Sequence, residues 1–337
     1  MKQRSTSAAA PTCPLCKRQA TGSTYRLREQ VIGIWSCNPC REHITEDGRA
    51  YVPARTSGCF DGDLYDAAGS YMICGWYVLP VRKVPGKGYR HAGSVLGKNW
   101  PEKSTRQMWE LRKFLRPTML DRSGLALHVG GSGMVAFDID TPANVPRLLR
   151  DAIERDQPPF QSTRADDPDR GHYVWRLPEG VMLGNSLGRL RTDPPWGEVR
   201  GRNGIIVVEP SVHDKPEGRY RWQRTSRLVE LPKDLARALL STPKVHSGGG
   251  HAYHPLYSTR RVDALLTNLR QAQEGERNSV LFWTACRFGE LAAEGRIDEA
   301  MIRETLIDIA DEIGLPSGEA TATTDSGLTT GYWAWSG

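Results

Sequence analysis

Long apolar runs are missing from this chain: nowhere do about 18 hydrophobic residues follow one another, so a membrane-spanning helix is not expected. The amino-terminal stretch Met-Lys-Gln-Arg-Ser-Thr-Ser-Ala-Ala-Ala-Pro-Thr lacks the apolar core of an export signal, which makes the cytoplasm the expected compartment. Gly-x-x-x-x-Gly-Lys-Ser/Thr does not occur, which excludes a P-loop motor in this chain. Internal repeats and low-complexity tracts are absent as well. Acidic charge falls slightly short of basic, leaving a net +6 whose surplus gathers in Arg82 to Arg90 and Arg189 to Arg202. Such segments suit a phosphate-rich partner, although any one of them also reads as a solvated basic surface.

Cysteine is scarce, seven in 337 residues, and its spacing says more than its count. Cys13-Pro-Leu-Cys16 and Cys37-Asn-Pro-Cys40 form two C-x-x-C turns, the pattern of a four-thiolate Zn²⁺ site. Between them Tyr25 to Trp35 reads as the short strands of a zinc ribbon, a fragment too small to fold without its metal. A redox pair or disulfides are the alternative, disfavoured by the missing export signal, and His43 could replace Cys40 as a ligand. Cys59, Cys74 and Cys286 read as packing residues.

An apolar content of 39% supports a real core, and the length suits two or three compact units. Residues 1–60 read as ribbon and connector, and 61–242 as a mixed α/β catalytic domain. Residues 243–260, with Ser247-Gly-Gly-Gly250, read as a linker, and 261–337 as a small helical module. Within the second segment, helical spacing over Leu64 to Trp76 is followed by a strand, Tyr77 to Val81, and by a helix that Pro117 stops near Arg116. Leu125 to Val129 and Met134 to Asp138 read as two strands of a hairpin around Gly130-Gly-Ser-Gly133. A helix over Val145 to Arg155 leads to strands at Phe160 to Thr163, Gly171 to Arg176, Glu198 to Arg200, Ile205 to Val208 and Tyr220 to Trp222, then a helix over Leu231 to Leu240. Helices are expected beyond the linker at Val262 to Ala272, Arg277 to Ala293 and Asp298 to Ile313.

The chemistry concentrates where the apolar run Met134-Val-Ala-Phe ends in Asp138-Ile-Asp140. Strand alternation puts both carboxylates on one face, and like charges so close call for a cation of the Mg²⁺ or Mn²⁺ type, unless they merely end a strand at a polar loop. Glu198 is the candidate third ligand. It shares a face with Arg200, placing a carboxylate for metal beside a cation for phosphate; a simple salt bridge to Arg200 or Arg202 is the plainer reading. His172 opens a strand with Ser162 and Arg164 ahead of it, an arrangement that favours phosphate contact over a purely structural histidine.

Taken in order, these motifs resemble the bifunctional DNA primase/polymerase domains of the archaeo-eukaryotic primase superfamily, of the kind found in phage and plasmid replication proteins. The likeness covers about Leu64 to Trp222. It rests on Gly75-Trp-Tyr-Val-Leu-Pro-Val-Arg-Lys83, Val135-Ala-Phe-Asp-Ile-Asp140, Gln161-Ser-Thr163 with Gly171-His-Tyr173, Glu198-Val-Arg-Gly201 and Val207-Val-Glu-Pro-Ser211. Glu198 stands where the family usually carries Asp, and the loop before His172 is longer and more acidic than typical. The resemblance implies an α+β catalytic core and primer synthesis on single-stranded DNA from nucleoside triphosphates. Asp138, Asp140 and Glu198 would hold two Mg²⁺ or Mn²⁺ ions, and His172 would meet the incoming phosphates. Ser162, Arg164, Arg200 and Arg202 are weaker candidates for the same nucleotide, and Lys83, Lys87 and Arg90 for template phosphate. A replicative helicase is an implied partner. Two other readings stand beside this one: a metal-dependent nuclease, and a zinc-ribbon DNA-binding protein without catalysis.

Overall fold

The computed structural model describes residues 21–27, 30–37, 42–45, 64–84, 88–90, 93–97, 99–116, 123–213, 218–224, 228–240 and 259–336. The chain divides into two compact units, one of residues 1–179 and 192–230, the other of residues 180–191 and 231–337.

The first unit opens with a three-stranded antiparallel sheet of β1 (Thr21–Leu27), β2 (Gln30–Cys37) and β3 (Glu42–Thr45). The backbone of Cys37 ends β2, while its side chain and Cys13, Cys16 and Cys40 lie outside the described residues, as does the connector expected after them. Helix α1 (Leu64–Ile73) buries Leu64, Ala67, Ala68, Tyr71 and Met72, an i, i+3, i+4, i+7, i+8 stripe that faces the core.

Strands β4 (Val78–Val84) and β5 (Gly88–Arg90) follow, then the short helices α2 (Gly93–Leu96), α3 (Trp100–Lys103) and α4 (Met108–Phe114). Next come β6 (Ser123–His128), β7 (Met134–Ile139), α5 (Arg147–Asp156), β8 (Phe160–Arg164), β9 (Gly171–Arg176), β10 (Gly197–Arg200), β11 (Ile205–Val208) and β12 (Gly218–Arg224). They form two antiparallel sheets, one in the order β11-β6-β4-β5 and one in the order β10-β7-β9-β8-β12. This is a mixed α/β, α+β-type core, as the strand and helix pattern implied.

One hydrophobic cluster joins the two sheets. Leu125, Leu127, Ile206, Val208 and Val78 come from the first sheet, Met134, Ala136, Val174 and Trp222 from the second, Tyr71 and Leu111 from α1 and α4, and Leu115 from the cap that ends α4. The opposite face of the first sheet packs Leu79, Val81 and Ala126 against Leu96 and Trp100. Burial on both faces explains why β6 reads as an unbroken apolar run.

The structure corrects the expected hairpin. β6 and β7 are not partners; β6 lies between β11 and β4, and β7 between β10 and β9. The glycine-rich connection is a tight coil in which Ser132 N–H donates to His128 O at 3.0 Å and Met134 N–H to Val129 O at 3.0 Å, carrying the chain from one sheet to the other. Composition identifies such a turn but not the sheet that each flanking strand joins.

In the second unit lie α6 (Lys233–Leu240), α7 (Thr259–Arg270), α8 (Arg277–Ala293), α9 (Glu299–Glu312) and α10 (Ser317–Trp335). The sequence reading closes the catalytic segment with α6, whereas the contacts divide the chain between Glu230 and Leu231. Helix α10 goes beyond the three helices expected after the linker. Its Ala-Thr-Ala-Thr-Thr and Gly-Leu-Thr-Thr-Gly composition is poor in helix formers, and tertiary packing overrides it. A Cβ on Gly331 would stand 2.0 Å from Cys286 O, so α10 meets α8 backbone to side-chain-free backbone. Of the 243–260 linker only the last two residues are described. Among the described residues no helix is long and apolar enough to cross a membrane.

Candidate active site

Strand register assembles the site. Asp138 on β7 sits directly opposite Glu198 on β10 and His172 on β9, His172 opposite Gln161 on β8, and Gln161 opposite Trp222 on β12. Directly opposed residues of antiparallel strands point to one face, so the sheet carries a row Glu198–Asp138–His172–Gln161–Trp222. That face is the one whose Met134, Ala136 and Val174 fill the inter-sheet core. The row therefore begins in the core at Trp222, 1% exposed, and reaches solvent at Glu198, whose side chain is 59% exposed.

Two glycines let the strands close up beside it. Gly197 and Gly171 pair with Ile139 from either side. A Cβ on Gly197 would lie 2.0 Å from Asp138 O, and one on Gly171 2.1 Å from Gln161 O, with φ of +156° and +151°.

The carboxylates are matched by arginines. Arg200 Nη2 lies 2.5 Å from Glu198 Oε2 and 3.2 Å from Asp138 Oδ2, and Arg170 Nη2 lies 2.5 Å from Asp140 Oδ1. His172 Nε2 stands 3.4 Å from Asp138 Oδ1. Burial pushes the Asp138 carboxyl up, but the facing His172 and Arg200 more than offset it and hold the group down at about 2.

The remaining candidates are placed differently. Ser162 pairs with Gly171 and so points to the opposite face from Gln161 and His172, its hydroxyl donating to Arg164 O at 2.6 Å. Arg164 hydrogen-bonds His213 Nε2; the His213 ring lies 5.1 Å from that of Tyr220, which in turn stacks 6.4 Å from His172. Arg202 is carried on the turn after β10, where its carbonyl oxygen meets His128 Nε2 at 2.9 Å. The structure thus gathers Asp138, His172, Glu198 and Arg200 with Asp140 at the strand end, links Arg164 through an aromatic pair, and sets Ser162 and Arg202 apart from the row.

Sequence reasoning gave no role in the site to Arg170, to Gln161, although it opens the motif Gln161-Ser-Thr163, or to Tyr220. Arg170 stands immediately before Gly171-His172, which was the available signal for it. The other two emerge only once β8 and β12 are registered against β9.

No group of three His, Cys, Asp or Glu side chains among the described residues is drawn together as a ready ligand shell. Asp138, Asp140 and Glu198 carry the oxygen donors that hard divalent cations take, and in this structure each carboxylate is paired with an arginine, Asp138 also with His172. The arginines themselves are incompletely satisfied. Arg170 Nε and Arg200 Nε are buried and, among the described residues, have no hydrogen-bond partner. An orphaned guanidinium N–H beside a carboxylate suits a phosphate oxygen.

Carboxylates and guanidinium groups thus face one another at one end of this sheet. Residues 68–234 match the family described as bifunctional DNA primase/polymerase, N-terminal, a span that contains the whole row. These residues form a domain of that family, which implies a primase/polymerase-type nucleotidyltransferase working on DNA and nucleotides. No curated protein matches the chain.

Proposed function

We propose that the 61–242 segment synthesises and extends primers on a single-stranded DNA template from nucleoside triphosphates, in phage or plasmid replication in a bacterial cytoplasm. The observation that carries this reading is the row Glu198–Asp138–His172 across three adjacent strands with Arg200 between its carboxylates.

Asp138, Asp140 and Glu198 are the residues that would hold two Mg²⁺ or Mn²⁺ ions, which would supply Lewis-acid activation of the 3′-hydroxyl and charge for the leaving pyrophosphate. The chain's own groups do the rest. Arg170 and Arg200, with side chains 28% and 35% exposed, are the cations beside the carboxylates that would meet phosphate oxygens. His172 offers its site-facing N–H to the nucleotide, and Arg164 extends the cationic side through His213 and Tyr220. Ser162 shapes the end of β8, and Arg202 steadies the turn beneath β10.

Template binding draws on α4. Trp109 is 60% exposed with Lys113 4.2 Å over its ring, and Arg106, Arg112 and Arg116, close to it in sequence, are exposed, Arg106 lying over the Tyr77 ring and Arg112 over that of Tyr65. The nearby carboxylate of Glu110 is engaged by the Thr105 hydroxyl. Stacking aromatics among cations are what single strands bind. By their spacing, Cys13, Cys16, Cys37 and Cys40 would hold a structural Zn²⁺, and a replicative helicase is the partner such a primase would serve.

The test uses the full chain, a single-stranded template, labelled ribo- or deoxynucleotides and Mg²⁺ or Mn²⁺. New oligonucleotides made by the wild type and lost in Asp138→Asn are expected. A shortened template would assign a nuclease, and a mobility shift alone a non-catalytic binder.

A further inference from the structure

Gln161 is fully buried, and its amide makes three contacts that together leave no freedom of orientation. Glu209 N–H donates to Gln161 Oε1 at 2.9 Å, and Gln161 Nε2 donates to Val207 O at 2.9 Å. A backbone N–H can only donate and a backbone carbonyl can only accept, so the oxygen must face Glu209 and the nitrogen Val207. The second Nε2 hydrogen is thereby aimed at His172 Nδ1, 2.9 Å away, and that ring nitrogen must accept. The imidazole hydrogen is left on Nε2, which faces Asp138 Oδ1.

We propose that Gln161 is a positioning residue that locks His172 in the Nε2–H tautomer, so that the ring presents a donor, never a lone pair, to the site. The lock is anchored in the other sheet. Val207 belongs to β11, and Glu209 just beyond it is braced by Trp222 N–H donating to its carboxylate at 2.9 Å and by the Tyr71 hydroxyl donating to its carbonyl at 2.7 Å. Packing between the sheets thus sets the chemistry of a ring at the site's edge. The inference deepens the proposed function, since it rests on His172 meeting the nucleotide.

Histidine-labelled full-length protein, read by long-range ¹H–¹⁵N correlation spectra, tests the lock without any turnover. Wild-type His172 is expected to show a protonated Nε2 and a bare Nδ1. Gln161→Glu replaces the donor with an acceptor and keeps an oxygen for Glu209 N–H, so Nδ1 should gain a proton. Gln161→Met keeps the volume but offers neither, so both tautomers should appear. His128 is the internal control. Its Nε2 must donate to Arg202 O, and its signature should not change in a folded variant. In the primer assay both variants should lose roughly 10- to 100-fold in kcat, the usual scale for a residue that orients a functional histidine. Nδ1–H in the wild type, or a spectrum unmoved by Gln161→Glu with His128 intact, would overturn the lock. Altered spectra with unaltered kcat would overturn the positioning role. A wild type with the expected signature and no nucleotide incorporation would overturn the proposed function alone.

Discussion

Replacing Asp138 by Asn asks whether the site is strained by like charges or held by opposite ones. A cluster of carboxylates waiting for a cation repels itself, and removing one member should then stabilise the metal-free protein. Here the Asp138 side chain, 19% exposed, faces His172 at 3.4 Å and Arg200 at 3.2 Å, and its carboxyl sits at about 2 instead of 3.8. At 1.36 kcal/mol per tenfold change in proton affinity, that difference is worth roughly 2 kcal/mol in favour of the fold. The sign follows from a carboxyl whose folded value is depressed. Its contribution is complete above the unfolded value near 3.8 and disappears as the pH falls toward 2. Asp138→Asn should therefore lower stability at pH 7, by at most about 2 kcal/mol because a His172 ring with a bare Nδ1 carries no charge and contributes only its Nε2–H contact, and the gap to wild type should narrow between about pH 4 and pH 2. Urea titration in EDTA, followed by hydrogen exchange of peptides covering β7 and β9, isolates the unit concerned. A variant as stable as wild type, or more stable, would refute the reasoning and show that the carboxylates' mutual repulsion outweighs their arginine and histidine partners.

Two further outcomes are expected. Trp109→Ala should weaken binding of a labelled single-stranded oligonucleotide by roughly 5- to 150-fold in fluorescence anisotropy at fixed salt, the equivalent of one lost base stack; unchanged affinity would remove α4 from the template path. Gly331→Ala sets helix propensity, which favours alanine by about 1 kcal/mol, against a Cβ placed 2.0 Å from Cys286 O. The clash should win, with a net loss of about 1–3 kcal/mol in calorimetry of the helical unit, and a raised melting temperature would contradict the packing.

The sequence was most legible where a single strand or helix carries its own period. Gly171 to Arg176 and Ile205 to Val208 appear as strands with the expected bounds, and the α1 stripe repeats every three or four residues as a one-sided helix must. Pairing was another matter. The glycines at 130 to 133 favoured a hairpin because a local signal cannot report that both flanking strands find partners elsewhere. Helix α10 was hidden for a related reason: its threonines and glycines are poor helix formers that become assets only against α8. At the site, motif order alone pointed to Asp138, His172 and Glu198. Gln161 differs from them in one respect, since its meaning depends on backbone groups of a strand 46 residues away.

The pairing of Arg200 with Asp138 spans 62 residues of chain, and that of Arg170 with Asp140 spans 30. In a chain emerging from the ribosome both aspartates are made well before either compensating arginine. A nascent fragment that ends at Arg164 holds two uncompensated carboxylates on a strand with neither β9 nor β10 beside it, and so has reason to stay open there. Closure of the acidic strand end must await the arrival of β10, which makes the catalytic edge one of the last parts of its sheet to assemble during synthesis.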